Sequence, residues 1–323
     1  MRIVVFGAGA VGGVIAGRLF EHGNDVIAIV RGAHFEAMRD HGMRLVDPDH
    51  KVTLPVPVVD DPAHVDWRPD DVVVITTKTQ DSTGALDALV AAAGTQVPIV
   101  CAQNGVANER IALRRFEHVY AICVMLPAEH LEPGVVAASS APVSGLLDIG
   151  RYPAGTDEVA TSVAAALSGA TFESTRRPDI MRWKYRKLLM NLANAVEALC
   201  APGDDAIELG RRARREGSAV LGAAGIDVAS IEEDRERRGD RLTPRLARGG
   251  GSTWQSLRRA TGSLETDYLN GEIALLARLH GVACPANELL QTIANDAARR
   301  GLAPGSVRAS DLLAQLPAPL TPE

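Results

Sequence analysis

The chain has 323 residues, 46% of them hydrophobic and 23% charged, with a formal net charge of -6. That length suggests about two domains, and the composition is that of an ordinary globular protein. The negative balance argues against a nucleic-acid binder, whose footprint would be a basic patch or stripe. No apolar run reaches the roughly 18 residues that span a bilayer, and a glycine turn interrupts the N-terminal "MRIVVFGAGAVGG" too early for a signal peptide. Cys101, Cys123, Cys200 and Cys284 are scattered without CxxC spacing, so neither a zinc site nor a disulfide frame is indicated. The expectation is a reduced, cytoplasmic protein with neither nucleic acid nor membrane as partner.

Short β-branched runs at 2–6, 25–30, 71–76 and 98–102 have the character of buried parallel strands. Helical segments lie between some of them, at 10–22, 32–41 and 81–94, and this rhythm implies a doubly wound α/β sheet. Strand-like pieces continue through "VYAICVM" and "VVAAS" towards residue 170. After Pro178 the period becomes helical, over 179–200, 204–224, 265–280 and 286–300, with stops at Pro202-Gly203, Gly225 and Gly281. The boundary is read near residue 172, giving domains 1–172 and 173–323. The stretch 229–263 is charged and then glycine-rich, and takes no assignment.

In "IVVFGAGAVGG", Gly7, Gly9 and Gly12 have G-x-G-x-x-G spacing after a strand and at the start of a helix. Gly7 permits the tight turn, Gly9 lets the backbone approach a pyrophosphate, and Gly12 lets the helix pack on the strand. With Ala8, Ala10 and Val11 between them, they present a helix N-terminus to phosphate. NAD-binding units usually end the second strand with an acidic residue; here Arg31 stands there, and a guanidinium suits the 2′-phosphate of NADP. Ligands in such sheets sit beyond the carboxyl ends of the strands. Lys78 lies at one such end, and Gln103, Asn104 and Gly105 at the next. Alone, Lys78 reads as a strand-capping surface lysine and Asn104-Gly105 as an ordinary turn; three strand ends converging on one crevice favour the nucleotide.

In "RWKYRKLLMNLANAV", Lys187, Asn191 and Asn194 fall within about 60° of one another at about 100° per residue. Asparagine is costly to bury unpaired, so two in line with a lysine suggest a polar wall facing a cleft. Arg182, Lys184 and Arg186 read as a solvated helix end.

The pieces "GAGAVGG", "VR" after strand two, "TTKTQD", "QNG", "RKLLMN" and "ETDYLNGEI…HGVACPAN" together resemble the ketopantoate reductase family (2-dehydropantoate 2-reductases) over most of the chain. The resemblance implies a Rossmann-type domain followed by an all-helical domain, with the active site between them. It also implies NADPH-dependent reduction of a small 2-oxo acid, ketopantoate, to pantoate on the route to pantothenate and coenzyme A. Position by position, it makes Lys187 the proton donor, and puts Asn191, Ser252 and Glu265 on the substrate. Asn194 stands one residue short of the family's second asparagine, with Ala195 in its place. Lys78, Asn104 and Ala128 match cofactor-side positions, Asn104 also bordering the substrate. A homodimer is allowed for, although the sequence does not give the oligomeric state.

Two positions depart from the family pattern. Gly249 stands where the family commonly has an asparagine shortly before Ser252, and Asp205, of the wrong charge for a carboxylate substrate, stands near the place of another substrate-side asparagine. The expected mechanism passes hydride to the carbonyl carbon while Lys187, charged at neutral pH like any ordinary lysine, stabilises and protonates the oxygen. Glu265 would orient the lysine; no metal is required. The alternatives are an NADPH-dependent reductase of another 2-oxo acid or carbonyl, and a non-catalytic NADP-binding sensor.

Overall fold

The structure, a computed structural model, describes residues 1–243, 245–246, 249–260 and 262–318. They gather into two compact units, Met1–Lys184 with Ala229–Arg248, and Tyr185–Val228 with Gly249–Glu323.

In the first unit an eight-stranded sheet runs Val58–Val59, Val26–Ile29, Arg2–Phe6, Asp71–Ile75, Ile99–Cys101, Val119–Met125, Gly145–Arg151 and Phe172–Glu173. Counted along the chain, the first six stand in the order 3-2-1-4-5-6 shared by dinucleotide-binding sheets. All pair in parallel except Gly145–Arg151, which is antiparallel to Val119–Met125. The central strands are apolar on both faces. Ile3, Val5, Val72 and Val74 pack on one side, with Ile15, Leu19, Val163 and Leu167 of the helices Ala10–Glu21 and Glu158–Ser168. Val4, Phe6, Val73 and Ile75 pack on the other, with Leu86 and Leu89 of the helix Ser82–Ala93 and Ala112 of the helix Asn108–Leu113. Burial on both faces is why these strands read as continuous β-branched runs.

A smaller sheet, of which the sequence reading marked only the "VVAAS" strand, orders Lys51–Leu54, Met43–Val46, Val135–Ala138 and Ala128–Glu129. The segment left without assignment contains two helices, Ile231–Arg238 and Ser252–Arg258. The first opens on a capping box between Ser230 and Glu233, with acidic residues in its first turn and basic residues in its last, each sign favoured by the helix dipole. Arg237 binds Asp148 and Glu173, and Glu233 binds Arg182, so these ion pairs return 229–248 to the first unit, where the sequence suggested a single cut near 172.

The second unit is helical: Asn194–Leu199, Asp204–Ala223, Ser252–Arg258, Asn270–His280, Pro285–Arg300 and Ala309–Leu313. Leu209, Ala213, Val220 and Leu221 of the long Asp204–Ala223 helix are buried, as are Ile273, Ala277, Leu290 and Ala294. Gly281 and Gly301 end two of these helices in the left-handed conformation, which a glycine adopts without a Cβ clash.

Candidate active site

The sheet order reverses between Arg2–Phe6 and Asp71–Ile75, and the loops after these two strands meet there. Gly7 has φ +97°, and a Cβ on it would come within 2.8 Å of the Thr77 nitrogen. A Cβ on Gly12 would strike the Thr76 hydroxyl, which donates to the carbonyls of Phe6 and Gly7 at 3.1 and 2.9 Å. Glycine is therefore required sterically at both places. Gly9 differs: a Cβ there would find only the Gly7 carbonyl oxygen, at 4.0 Å. The space over Gly9 is open, and the helix that begins at Ala10 has no acidic residue in its first turn and no side-chain cap. Open space at a positive, uncapped helix end fits the pyrophosphate of a dinucleotide.

Arg31 is exposed just before the helix Gly32–His41, with its guanidinium carbon 5.9 Å from the centroid of the Phe6 ring. Phe6 is the residue before Gly7, so the cation lies beside the glycine loop. In the same helix, His34 is a residue the sequence reading missed. It is buried, its Nε2 donates to the Ala8 carbonyl at 2.9 Å, and its Nδ1 accepts from the Gly134 N–H at 2.8 Å. Its position four residues before Met38, the other buried residue of that helix, was the available signal.

Lys78 and Asn104 occupy the turns after Asp71–Ile75 and Ile99–Cys101. Gln103, beside Asn104, joins these turns: its Nε2 donates to the Thr77 carbonyl and to the Ser82 hydroxyl, both at 2.8 Å. Ala128 is buried in the small sheet, opposite Ala138.

In the second unit, Lys187 is half-buried and Asn191 buried. The helix carrying them, Ile180–Asn191, stops there, and Asn194 begins a new helix after the turn at Leu192-Ala193. A single wheel through 179–200 is therefore corrected, and the alignment of Asn194 with Lys187 does not follow from it. Glu265 is 8% exposed and opens a 3-10 turn, Glu265–Tyr268, ahead of the helix Asn270–His280. Ser252 is the first residue of its helix, and the N–H of Gly251 before it donates to Glu197 Oε1 at 2.9 Å.

A second correction concerns the solvated end. Lys184 is 3% exposed; its Nζ donates to the Gln103 carbonyl at 3.0 Å and pairs with Glu109. Arg182 is half-buried against Asp179 and Glu233. The partners of both lie far off in sequence or just outside the helix, where a helical wheel cannot register them.

Two departures from the family pattern have a physical account. A Cβ at Gly249 would come within 2.6 Å of two ring carbons of Trp254, so a side chain there would have to displace the indole. Asp205 is exposed in the first turn of Asp204–Ala223, where a carboxylate answers the helix dipole.

A model of the family described as Ketopantoate reductase PanE/ApbA matches residues 3–154, and that of its C-terminal part matches 179–298. The chain belongs to the ketopantoate reductase family. It is 30% identical over 314 residues to the 2-dehydropantoate 2-reductase of Caulobacter vibrioides, covering 92% of this chain and 99% of the relative. The crystal structure of a PanE/ApbA family ketopantoate reductase from Ralstonia eutropha JMP134 matches with a TM-score of 0.79 and 27% identity, over 93% of this chain and 99% of that one. D-mandelate dehydrogenase, solved with NADH and anilino(oxo)acetate, matches with a TM-score of 0.80 over the same shares of the two chains, and at 21% identity the likeness is one of fold.

Within the ketopantoate reductase motif "ETDYLNG…CPAN", the two asparagines hold the second unit together. Asn270 Nδ2 donates to the Leu192 carbonyl at 3.0 Å and to Asn287 Oδ1 at 3.1 Å. Asn287 Nδ2 donates to the Ala213 carbonyl and to Glu216 Oε2, both at 2.9 Å. Glu216 also accepts the N–H groups of Ala286 and Asn287, and so caps the helix Pro285–Arg300. Burial raises the Glu216 carboxyl above its ordinary range, against these hydrogen bonds.

Proposed function

We propose that this ketopantoate reductase reduces a 2-oxo acid to a 2-hydroxy acid with NADPH, its substrate being 2-dehydropantoate and its product pantoate, on the route to pantothenate and coenzyme A. The observation that carries the reading is the match of both family models to a chain whose glycine loop closes over the switch point of a dinucleotide-binding sheet. The functional division is read near residue 172, between the parts matched by the two models. The setting is the cytoplasm; among the described residues no helix is long and apolar enough to cross a membrane. A homodimer is an assembly this reading allows.

The backbone from Gly7 to Gly12 takes the pyrophosphate, Arg31 the 2′-phosphate, and Lys78, Asn104 and Ala128 line the rest of the nucleotide site. When bound, NADPH supplies the hydride that the carbonyl carbon takes up. Lys187 meets the negative charge developing on the carbonyl oxygen and gives it a proton. A fixed cation aimed at that oxygen stabilises the transition state more than the ground state. Glu265 orients the lysine and accepts from a substrate hydroxyl, while Asn104, Asn191 and Ser252 hold the substrate.

A second reading, reduction of a different 2-oxo acid, is favoured by the family's substrate-side asparagines being replaced: the Trp254 indole lies against Gly249, and Asp205 is exposed. Steady-state assays with NADPH and a panel of 2-oxo acids separate the two. Turnover of ketopantoate above the others, lost about 10²-fold or more in kcat in Lys187→Ala, supports the first reading. Negligible turnover of ketopantoate beside good turnover of another 2-oxo acid establishes the second.

A further inference from the structure

Beneath the two strand-end turns lies a buried polar network that the mechanism above does not use. Lys184 Nζ bridges the Gln103 carbonyl, at 3.0 Å, and the Glu109 carboxylate. Gln103 Nε2 reaches Thr77 and Ser82, and the Ser82 hydroxyl donates to Asn108 Oδ1 at 2.9 Å. Asn108 Nδ2 donates to the Thr79 hydroxyl at 3.1 Å and to the Asn104 carbonyl at 3.3 Å. Lys184, Glu109, Gln103, Asn108, Ser82 and Thr79 are all buried. The network thus holds the turn 77–82, which carries Lys78, to the turn 103–108, which carries Asn104.

Burying a lysine and a glutamate costs desolvation, and a well-packed apolar pair of similar volume is often as stable or more so. Stability alone does not account for two charges here. What the pair adds is direction: the ammonium fixes the Gln103 carbonyl, and with it the side chain that reaches across to Thr77. Apart from Lys184, which lies in the helix Ile180–Asn191, the donors and acceptors of this network belong to the two turns or to the first residues of the helices that follow them.

We propose that Lys184 and Glu109 are positioning residues that hold these two turns, and so Lys78 and Asn104, in the geometry that receives the nicotinamide dinucleotide. The proposal rests on the cofactor reading given under the proposed function.

The test is a direct titration of the full-length protein with NADPH, without substrate, alongside a thermal melt. Lys184→Met leaves Glu109 buried without its counter-charge, so it is expected to lower both Tm and NADPH affinity. The deciding variant is Lys184→Met with Glu109→Leu, which removes both charges and refills the space with apolar atoms. It is expected to recover Tm towards wild type while still binding NADPH about tenfold more weakly, since small misplacements of positioning groups carry large costs. A wild-type Kd in that double variant overturns the proposal and makes the pair purely structural. Failure of the unmodified protein to bind NADPH overturns the cofactor reading itself, and this proposal with it. NADPH binding that responds as expected, in a protein that turns over no ketopantoate, upholds the positioning role while the substrate assignment fails.

Discussion

The imidazole of His34 is hydrogen-bonded through Nε2 to the carbonyl oxygen of Ala8, inside the glycine loop. Because Nδ1 accepts from the Gly134 N–H, the neutral Nε2–H tautomer is the one that satisfies both contacts. A proton added at Nδ1 would face another donor. Burial, joined by the neighbouring His130, 4.1 Å away between ring centroids, lowers the ring's pKa from its ordinary 6.5 to about 4. Between those two values the unfolded chain binds a proton that the folded one does not. The stability His34 contributes is therefore complete above pH 6.5 and is lost as pH falls towards 4. His34→Gln keeps a donor and an acceptor without titrating. Its Tm is expected to fall less than that of the wild type over this window, and parallel curves would remove His34 as the cause.

Arg31 lies beside the glycine loop with its guanidinium over Phe6. A hydrogen bond to a charged group is worth about 1.5–3 kcal/mol, so Arg31→Ala should weaken NADPH binding by roughly 10- to 100-fold. NADH, without the 2′-phosphate, should be much less affected. Titration of the variant with both nucleotides checks this, and an unchanged preference between them would withdraw the assignment.

Asn287 is fully buried, accepts from Asn270 and donates to Ala213 and Glu216. Asn287→Ala removes one hydrogen bond each from the Ala213 carbonyl, the Asn270 amide and the Glu216 carboxylate. Each such bond is worth about 0.5–1.5 kcal/mol net, so a loss of about 3 kcal/mol in urea unfolding of the second unit is expected. A change under about 0.5 kcal/mol, the usual range for surface substitutions, would show that the network is not closed in solution.

The parts of the fold legible in the sequence are those whose cause is local. Arg2–Phe6 and Asp71–Ile75 are buried on both faces, which writes an uninterrupted apolar run into the chain. The strands Met43–Val46 and Lys51–Leu54 are short and partly exposed, so no such run marks them. The break at Leu192-Ala193 carries neither glycine nor proline, and the helical period runs through it unaltered. Lys184 and His34 were misread or passed over for one reason: their partners are Glu109, 75 residues away, and Ala8 and Gly134, 26 and 100 residues away. A lysine's burial is decided by the charge that meets it, and that charge is invisible in the local sequence. The glycine loop was legible because its spacing encodes steric requirements that Gly7 and Gly12 meet against Thr77 and Thr76.

Glu265 is a nearly buried carboxylate on a single 3-10 turn, with the helix proper beginning only at Asn270. A carboxylate kept there for the helix dipole would be expected in the first turn of that helix, where Glu272 stands instead. As a substrate group, Glu265 would accept the hydroxyl that distinguishes ketopantoate from 2-oxoisovalerate, which lacks the hydroxymethyl group. Sites built to bind a hydroxyl reject analogues without it by roughly 10⁴-fold, because a buried polar group is left unpaired. Ketopantoate should then exceed 2-oxoisovalerate in kcat/KM by well over about tenfold in the wild type. Glu265→Ala should erase most of that ratio by lowering the ketopantoate value far more than the other. If instead both values fall together and the ratio is kept, Glu265 acts on the lysine alone and the hydroxyl is recognised elsewhere. A wild-type ratio near one would detach Glu265 from the hydroxyl altogether, and would direct attention to Trp254, which occupies the space a side chain at 249 would need.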